Sequence, residues 1–217
     1  MKTALIVVDV QYDFLPGGAL AVAEGDLVVE PIQGLLTLPF DYKIASQDFH
    51  PPGHCSFTST WKKMGKKGIL RQNFTQVLWP DHCVQGTHGA EISARLTSVF
   101  DLIVQKGIDL DVDSYSAFFD NERKRQTPLA SFLQKNRVDT LYIAGLATDY
   151  CVLYTSLDAK ELGLDVYVVK DACRSISLDT EAMAFQKMKE KGVHFVTAEE
   201  VRVHLLSRKT KGDDRAF

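Results

Sequence analysis

Cys151 lies where a strand-like segment turns into a helix, a position in which a cysteine can act as a nucleophile. The apolar run 141–144 and the turn 145–150 precede it, and apolar residues at helical spacing follow up to Gly163. With Thr148 or Asp149 as the N-cap, Cys151 would lie in the first helical turn. Unpaired N–H groups and the helix dipole favour the thiolate there. For a cysteine considered alone, a buried packing role is the alternative.

Three further reactive side chains stand at the ends of predicted strands: Asp9, Asp48 and Lys106. Each alone would be an ordinary turn or surface residue. In an open parallel sheet, however, the carboxyl ends of the strands form one edge, and ligands bind there. We therefore expect the three side chains to share one rim with Cys151.

Together these residues suggest a nucleophile with its base and a cation. Asp9 could accept the thiol proton of Cys151, while Lys106 could stabilise the thiolate and keep the carboxylate ionised. The backbone N–H groups of Ala147 and Cys151 could hold the oxyanion of a tetrahedral intermediate.

A second group of residues has the composition of a metal site. It contains one carboxylate and three imidazoles, namely Asp48, His50, His54 and His82. This set suits one divalent ion, with zinc as the first choice and iron or manganese as alternatives. A six-coordinate ion would still leave positions open for water or substrate. Two other interpretations are a histidine-containing surface loop and a zinc site that includes the thiolate of Cys55 or Cys83.

Short apolar segments alternate with helical patterns along the chain. Strands are predicted at 4–8, 42–46, 101–105, 141–144, 165–169 and 193–196, and helices at 26–36, 91–96, 127–133, 151–162, 178–191 and 198–205. This alternation predicts an α/β protein of three layers, α/β/α, with a six-stranded parallel sheet covered on both faces. The dinucleotide-binding motif GxGxxG is absent from the sequence, which weakens a nucleotide-binding interpretation.

The composition predicts one globular domain over residues 1–217, with 209–217 as a frayed tail. The chain is 45% hydrophobic and 24% charged. A formal net charge of -3 gives no basic surface for nucleic acid. We find no signal peptide and no apolar run long enough to span a membrane. The four scattered cysteines then indicate reduced thiols and a cytoplasmic location.

Several short motifs, in order along nearly the whole chain, resemble the isochorismatase-like cysteine hydrolase family. Within that family they resemble the group that hydrolyses nicotinamide. The motifs are VDVQYDF at 8–14, GGAL at 17–20, SQDFH at 46–50 with His54, WPDHCV at 79–84, Lys106-Gly107, and GLATDYCV at 145–152. Each motif is weak alone, but the ordered set is specific.

The resemblance implies roles for particular residues. It implies a catalytic triad of Asp9, Lys106 and Cys151, and an oxyanion hole formed by Ala147 and Cys151 next to a cis peptide between Leu146 and Ala147. It also implies that the ion is held by Asp48, His50, His54 and His82. The substrate-binding residues would be Phe14 and Trp79, which sandwich a pyridine ring, with Tyr115 and Leu146. Core packing is the alternative for each aromatic residue.

The activity implied by the resemblance is hydrolysis of nicotinamide to nicotinate and ammonia through a thioester, in NAD recycling. Asp9 would deprotonate Cys151 and return the proton to the departing ammonia, and water activated by Asp9 or by the ion would cleave the acyl-enzyme. Pyrazinamide would be a second substrate, and the protein could be a homo-oligomer. The Lys-rich stretch 61–67 departs from the family's pattern and could form part of the rim or a subunit contact.

Two alternatives to this activity remain open. One is another small amide hydrolase of the same family, acting on carbamoyl or ureido compounds. The other is a non-enzymatic metal-binding or scaffold protein with the same fold.

Overall fold

The computed structural model describes residues 2–63, 69–70, 75–96 and 100–213. Its strands are β1 Lys2–Val8, β2 Tyr42–Asp48, β3 Ile69–Leu70, β4 Thr75–Gln76, β5 Leu102–Lys106, β6 Val138–Leu146, β7 Asp165–Arg174 and β8 His194–Val196. Six of them form a parallel sheet in the order β5-β2-β1-β6-β7-β8, and β3 and β4 form a short antiparallel hairpin. All six predicted strands are present, whereas the hairpin was not predicted.

Helices cover both faces of the sheet. They are α1 Val29–Leu36, α2 Thr58–Lys63, α3 Leu129–Asn136, α4 Leu153–Glu161, α5 Leu178–Glu190 and α6 Ala198–Asp213. Leu5 and Val7 of β1 pack with apolar residues of α1 and α6, and Ile6 and Val8 pack with those of α3, α4 and α5. A central strand buried on both faces explains the unbroken apolar run at 4–8. The predicted three-layer α/β/α fold is confirmed.

The helix predicted at 91–96 is wrong. A single 3-10 turn, His88–Ala90, stands before this segment, and the segment itself is irregular. Its backbone is used elsewhere: Ile92 bridges to Gln11, and the N–H of Ser93 donates to the carbonyl oxygen of Val10 at 2.9 Å. The apolar residues at helical spacing therefore belong to a loop that pairs with the chain after β1.

Other helices also differ from the predicted boundaries; α3, for example, ends at Asn136 and not at 133. The helix predicted at 26–36 begins as a 3-10 turn, Gly25–Val28, and continues as α1. The last helix, α6, runs to Asp213, eight residues beyond its predicted end and into the predicted frayed tail. Residues 214–217 of that tail lie outside the described residues, as do residues 64–67 of the Lys-rich stretch. No helix in the described part of the chain is both long and apolar enough to cross a membrane.

The topology brings the predicted reactive residues to one edge of the sheet. β5, β2, β1 and β6 are four consecutive neighbours in the sheet. Lys106 ends β5 directly beside Asp48, which ends β2. Asp9 follows β1, and Cys151 follows β6 in the next turn. The expected common rim is therefore present.

The junction of β1 and β6 leaves no room for a side chain at Gly145. This glycine has a φ of 127°, and a Cβ placed on it would lie 2.1 Å from the carbonyl oxygen of Val8. We expect Gly145→Ala to lower the free energy of unfolding by about 2–4 kcal/mol, measured by urea denaturation.

Gly34→Ala in α1 is the matched control for Gly145→Ala. A Cβ at Gly34 meets no atom within 4 Å, so this substitution should stabilise the protein by about 0.5–1 kcal/mol. Equal unfolding midpoints for the two variants would contradict the close packing of β1 on β6.

Candidate active site

The ammonium group of Lys106 lies at the centre of the rim. It is fully buried, 2.9 Å from Oδ2 of Asp9, and it donates hydrogen bonds to Oδ1 of Asp48 and to the carbonyl oxygen of Ser114 at 3.0 Å. Its Nζ is also 3.4 Å from Sγ of Cys151. One cation therefore contacts both carboxylates and the thiol.

The two carboxylates keep this buried cation charged. Burial opposes the charged form, but the nearby Asp48 and Asp9 outweigh it and hold the pKa of Lys106 well above its ordinary value. Burial likewise disfavours ionised Asp48, yet Lys106 and then His50 lower the pKa of this carboxyl well below its usual range. Lys106 and Asp48 thus form a charged pair.

Asp9 has the properties of a general base. It is fully buried, and its Oδ1 accepts a 2.6 Å hydrogen bond from the hydroxyl of Ser46. Burial raises the pKa of Asp9, although Lys106 opposes this shift. A carboxyl group with a raised pKa exchanges protons closer to neutral pH, as acid–base catalysis requires.

The thiol of Cys151 does not have the environment predicted from the sequence. Burial raises its pKa well above the ordinary value; Lys106 lowers it, but Asp9 and Asp48 raise it further. The prediction of a resting thiolate is therefore wrong for this arrangement. The carboxyl of Asp9 lies next to the thiol and within reach of its proton.

The turn that carries Cys151 also differs from the predicted one. It is a π-helical turn, Thr148–Val152, whose N-cap is Ala147, and no side chain caps it. The predicted caps are therefore wrong. Asp149 instead accepts hydrogen bonds from the N–H groups of Ile176 and Ser177 and from the hydroxyl of Thr180, because this loop passes beside the turn. The cis peptide between Leu146 and Ala147 is present.

Three of the four predicted metal ligands come together. Oδ2 of Asp48 lies 3.5 Å from Nε2 of His50 and 3.7 Å from Nε2 of His82. Nδ1 of His50 bonds to the carbonyl oxygen of Gly107 at 2.8 Å, and Nδ1 of His82 bonds to that of Pro80 at 2.7 Å. Since a carbonyl only accepts, both Nδ1 atoms carry a proton, and each Nε2 faces Asp48 as the nitrogen that could bind an ion. This donor set fits a divalent metal ion.

His54, the fourth predicted ligand, lies apart from this set. Its ring stacks on that of His50 at 4.1 Å, and its nitrogens bond to the hydroxyl of Ser56 and the carbonyl oxygen of Val112. It belongs to a separate group with His50 and Asp113. Burial is the main cause and the neighbouring His50 the second, and they lower the pKa of His54 to about 4. Among the described residues, no candidate metal group includes the other proposed thiolates, Cys55 or Cys83.

Gln11 fixes the backbone of Asp48. The fully buried amide of Gln11 donates to the carbonyl oxygen of Asp48 at 2.7 Å and accepts from its N–H at 2.8 Å. Its second amide hydrogen goes to the carbonyl oxygen of Ala90 at 2.9 Å. Gln11 therefore fixes the position of the Asp48 carboxylate indirectly, by holding the main chain of Asp48.

A narrow cavity of about 30 Å³ opens beside these groups. It is lined by Phe14, Leu20, Val22, Asp48, Trp79, His82, Asp113, Tyr115, Ala147, Tyr150, Cys151 and Ile176. A larger groove of about 400 Å³ beside α3 has no acidic, basic, histidine or cysteine side chain in its lining. The reactive groups therefore point to the smaller cavity.

Three of the four predicted substrate-binding residues line the cavity. Phe14, Trp79 and Tyr115 line the cavity, whereas Leu146 is fully buried in the core and does not line it. Sequence reasoning missed Asp113, Tyr150 and Ile176, among others. Tyr150 stands next to Cys151 and could have been found. Asp113 ends the acidic stretch 109–113, where nothing distinguishes it.

Comparison with known proteins identifies the family. The isochorismatase domain family model matches residues 3–200. The nicotinamidase of Acinetobacter baylyi is 43% identical over 92% of this chain and 94% of its own length. The nicotinamidase of Escherichia coli is 42% identical over 89% of this chain and 94% of its own length. This chain therefore belongs to the isochorismatase domain family.

Solved structures agree with this assignment. A nicotinamidase/pyrazinamidase from Acinetobacter baumanii superposes with a TM-score of 0.87 at 40% identity, over 92% of this chain and 98% of its own. A pyrazinamidase of Pyrococcus horikoshii in complex with zinc superposes with a TM-score of 0.76 at 37% identity, over 91% of this chain and 99% of its own. The yeast nicotinamidase bound to the inhibitor nicotinaldehyde superposes with a TM-score of 0.82 at 32% identity, over 90% of this chain and 99% of its own.

The raised pKa of Cys151 predicts the pH dependence of its alkylation. Because only the thiolate reacts, a raised pKa delays the rise in rate with pH. In metal-free protein we expect the midpoint for iodoacetamide to lie above about 8.5, the value of a free cysteine. Peptide mass spectrometry would follow Cys151 separately from the other cysteines. A midpoint below neutral pH would instead show a resting thiolate.

Proposed function

We propose that this protein is a nicotinamidase, which hydrolyses nicotinamide to nicotinate and ammonia. One observation carries the proposal: the Cys151 thiol lines a narrow cavity together with Asp48 and His82, and it contacts the Lys106 ammonium, which also pairs with Asp9. The relatives at 42–43% identity over most of the chain, both nicotinamidases, support it.

The first half of the reaction forms a thioester. Asp9 takes the proton of Cys151 as Sγ attacks the carboxamide carbon, and the backbone N–H groups of Ala147 and Cys151 receive the oxyanion. Protonated Asp9 then donates to the amide nitrogen, the C–N bond breaks, and ammonia leaves. Lys106 stays charged throughout, because Asp48 remains ionised beside it.

The second half regenerates the thiol. Asp9, again ionised, takes a proton from a water molecule that attacks the thioester carbonyl. The C–S bond breaks, Asp9 returns the proton to Sγ of Cys151, and the acid that forms gives its remaining proton to solvent and leaves as nicotinate. Water, thioester and Asp9 thus return the enzyme to its starting state, with one amide bond replaced by one carboxylate.

Asp48, His50 and His82 would hold one divalent ion, for which we propose zinc, with iron or manganese as alternatives. The zinc complex of the Pyrococcus relative supports this choice. When bound, the ion supplies a Lewis acid that can hold the pyridine nitrogen and so orient the carboxamide. His54 stays a predicted ligand, although both of its nitrogens have hydrogen-bond partners here.

The aromatic walls of the cavity favour a flat ring over a carbamoyl or ureido compound. Phe14, Trp79 and Tyr115 all line it, as ring recognition requires. We further propose that pyrazinamide is a substrate, since it has the same carboxamide and ring nitrogen. Action in cytoplasmic NAD recycling and assembly into a homo-oligomer also remain proposals.

Ammonia release from nicotinamide by zinc-loaded protein tests the proposed function. We expect Cys151→Ala to reduce turnover by at least about 10⁴-fold, because the nucleophile is lost. Cys173→Ala is the matched control, since Cys173 is also buried but does not line the cavity. No release by the wild-type protein would refute the function, and equal activity of the two variants would refute the thioester.

Gly107 offers a test of the metal site that needs no activity assay. A Cβ at this residue would lie 2.3 Å from Cε1 of His50, so Gly107→Ala must displace the imidazole. We expect the zinc affinity, measured by chelator competition, to fall about 10–100-fold. Gly163→Ala is the control, because Gly163 also has a positive φ but an added Cβ meets nothing within 4 Å. Equal affinities in both variants would contradict the ligand role of His50.

A further inference from the structure

Main-chain hydrogen bonds join the two loops that carry the imidazoles of the proposed metal site. His82 is followed by Cys83, whose carbonyl oxygen accepts a hydrogen bond from the N–H of His50 at 3.0 Å. The N–H of Gln85 donates in return to the carbonyl oxygen of His50 at 2.8 Å, so that His50 and Val84 form a parallel bridge. The relative position of the two imidazoles therefore depends on the backbone at Cys83.

Cys83 has a backbone conformation that a cysteine rarely adopts. Its φ is 47°, in the left-handed region. A residue other than glycine stays in this region only where its surroundings hold it there. The thiol of Cys83 gives little support, because its contact with the carbonyl oxygen of Gly89 is 4.0 Å long. The N–H group of Cys83, in contrast, makes a short hydrogen bond.

Asp13 accepts that hydrogen bond. Its Oδ2 lies 2.7 Å from the nitrogen of Cys83, although the two residues are 70 positions apart, and its Oδ1 accepts from the N–H of Ala19 at 3.1 Å. A carboxylate accepts such bonds more strongly than a neutral oxygen does. Gly89 leaves the space for it, since a Cβ there would lie 2.1 Å from Oδ2 of Asp13. One carboxylate thus stabilises the turn that follows His82.

We propose that Asp13 is a positioning residue for the metal ion. It belongs to none of the candidate metal groups among the described residues, so it acts through the main chain. By holding Cys83, it keeps Nε2 of His50 and Nε2 of His82 directed at Asp48. This inference rests on the metal site given under the proposed function, and it does not depend on which amide the enzyme cleaves.

Zinc affinity, measured by chelator competition, tests the role of Asp13. We expect Asp13→Ala to bind zinc about 10–100-fold more weakly than wild-type protein, the usual cost of removing a group that orients a metal ligand. Asp101→Ala is the matched control and should stay within about twofold of wild type, because it lies far from the site. Asp101 also accepts a 2.7 Å bond from a distant main chain, the N–H of Lys43, but at the start of β5, the end opposite the rim.

The visible spectrum of the cobalt-loaded protein distinguishes positioning from a loss of stability. A less stable fold would lower the unfolding midpoint but would leave the spectrum of the folded, metal-loaded protein unchanged. We expect the absorption bands to shift in Asp13→Ala and to stay in place in Asp101→Ala, because they depend on coordination geometry. Asp13→Asn should bind zinc with intermediate affinity, since its amide has one acceptor oxygen instead of two. Unchanged zinc affinity or an unchanged cobalt spectrum in Asp13→Ala would overturn the proposal.

Gly89→Ala perturbs the same contact without removing the carboxylate. The added Cβ must displace Asp13, so we expect zinc affinity to fall about tenfold. Gly34→Ala is the control, because a Cβ there meets no atom within 4 Å. In the Asp13→Ala background, Gly89→Ala should change zinc affinity less than about twofold, since the displaced group is gone. If Asp13→Ala does not fold, equal zinc affinities of Gly89→Ala and Gly34→Ala would overturn the proposal.

Wild-type protein separates this inference from the proposed function. If it binds zinc but releases no ammonia from nicotinamide, the proposed function fails, and the measured zinc affinities still decide the role of Asp13. If wild-type protein binds no zinc, the proposed metal site and the role of Asp13 fail together.

Discussion

The buried ion cluster around Lys106 is the constraint on which the rest of the site depends. An unpaired ammonium group in the interior costs several kcal/mol, so Lys106 remains charged only because Asp9 and Asp48 lie against it. The parallel sheet supplies both partners by placing the ends of β1, β2 and β5 side by side. The candidate site and the fold thus depend on the same contacts.

Asp48 joins the two halves of the site. One of its carboxylate oxygens bonds to Lys106, and the other faces His50 and His82. The single negative charge of Asp48 therefore acts both on the ammonium group beside the thiol and on the two imidazoles. This sharing also explains why the carboxylate at the end of β2 is ionised while Asp9, which lacks imidazole partners, has a raised pKa.

Much of this arrangement could be predicted from the sequence, because it follows from strand order. Apolar runs ending in Asp9, Asp48 and Lys106 predict a rim, and the sheet provides it. Side-chain orientation could not be predicted in the same way. The spacing of His54 from His50 suits a ligand, yet its ring turns to Ser56 and Val112.

Predictions from local patterns failed where distant segments determine the conformation. The pattern at 91–96 suits a helix, but this segment pairs with Val10 and Gln11. Asp149 has the chemistry of an N-cap, but the loop at Ile176 and Ser177 takes its carboxylate. The thiolate expected for Cys151 depended on a helix start, whereas burial has the largest effect on its pKa and raises it.

Gln11 shows how a side chain can replace a piece of β-strand. Its amide meets the N–H and the C=O of Asp48 as a neighbouring strand would, and it does so just beyond the end of β1. The sheet is in effect extended by one residue without any further main chain. Glutamate in this position would offer only acceptors and would repel the carbonyl oxygen of Asp48, while asparagine would be one methylene too short. A position that resembles any polar residue in sequence is therefore chemically limited to a single amino acid.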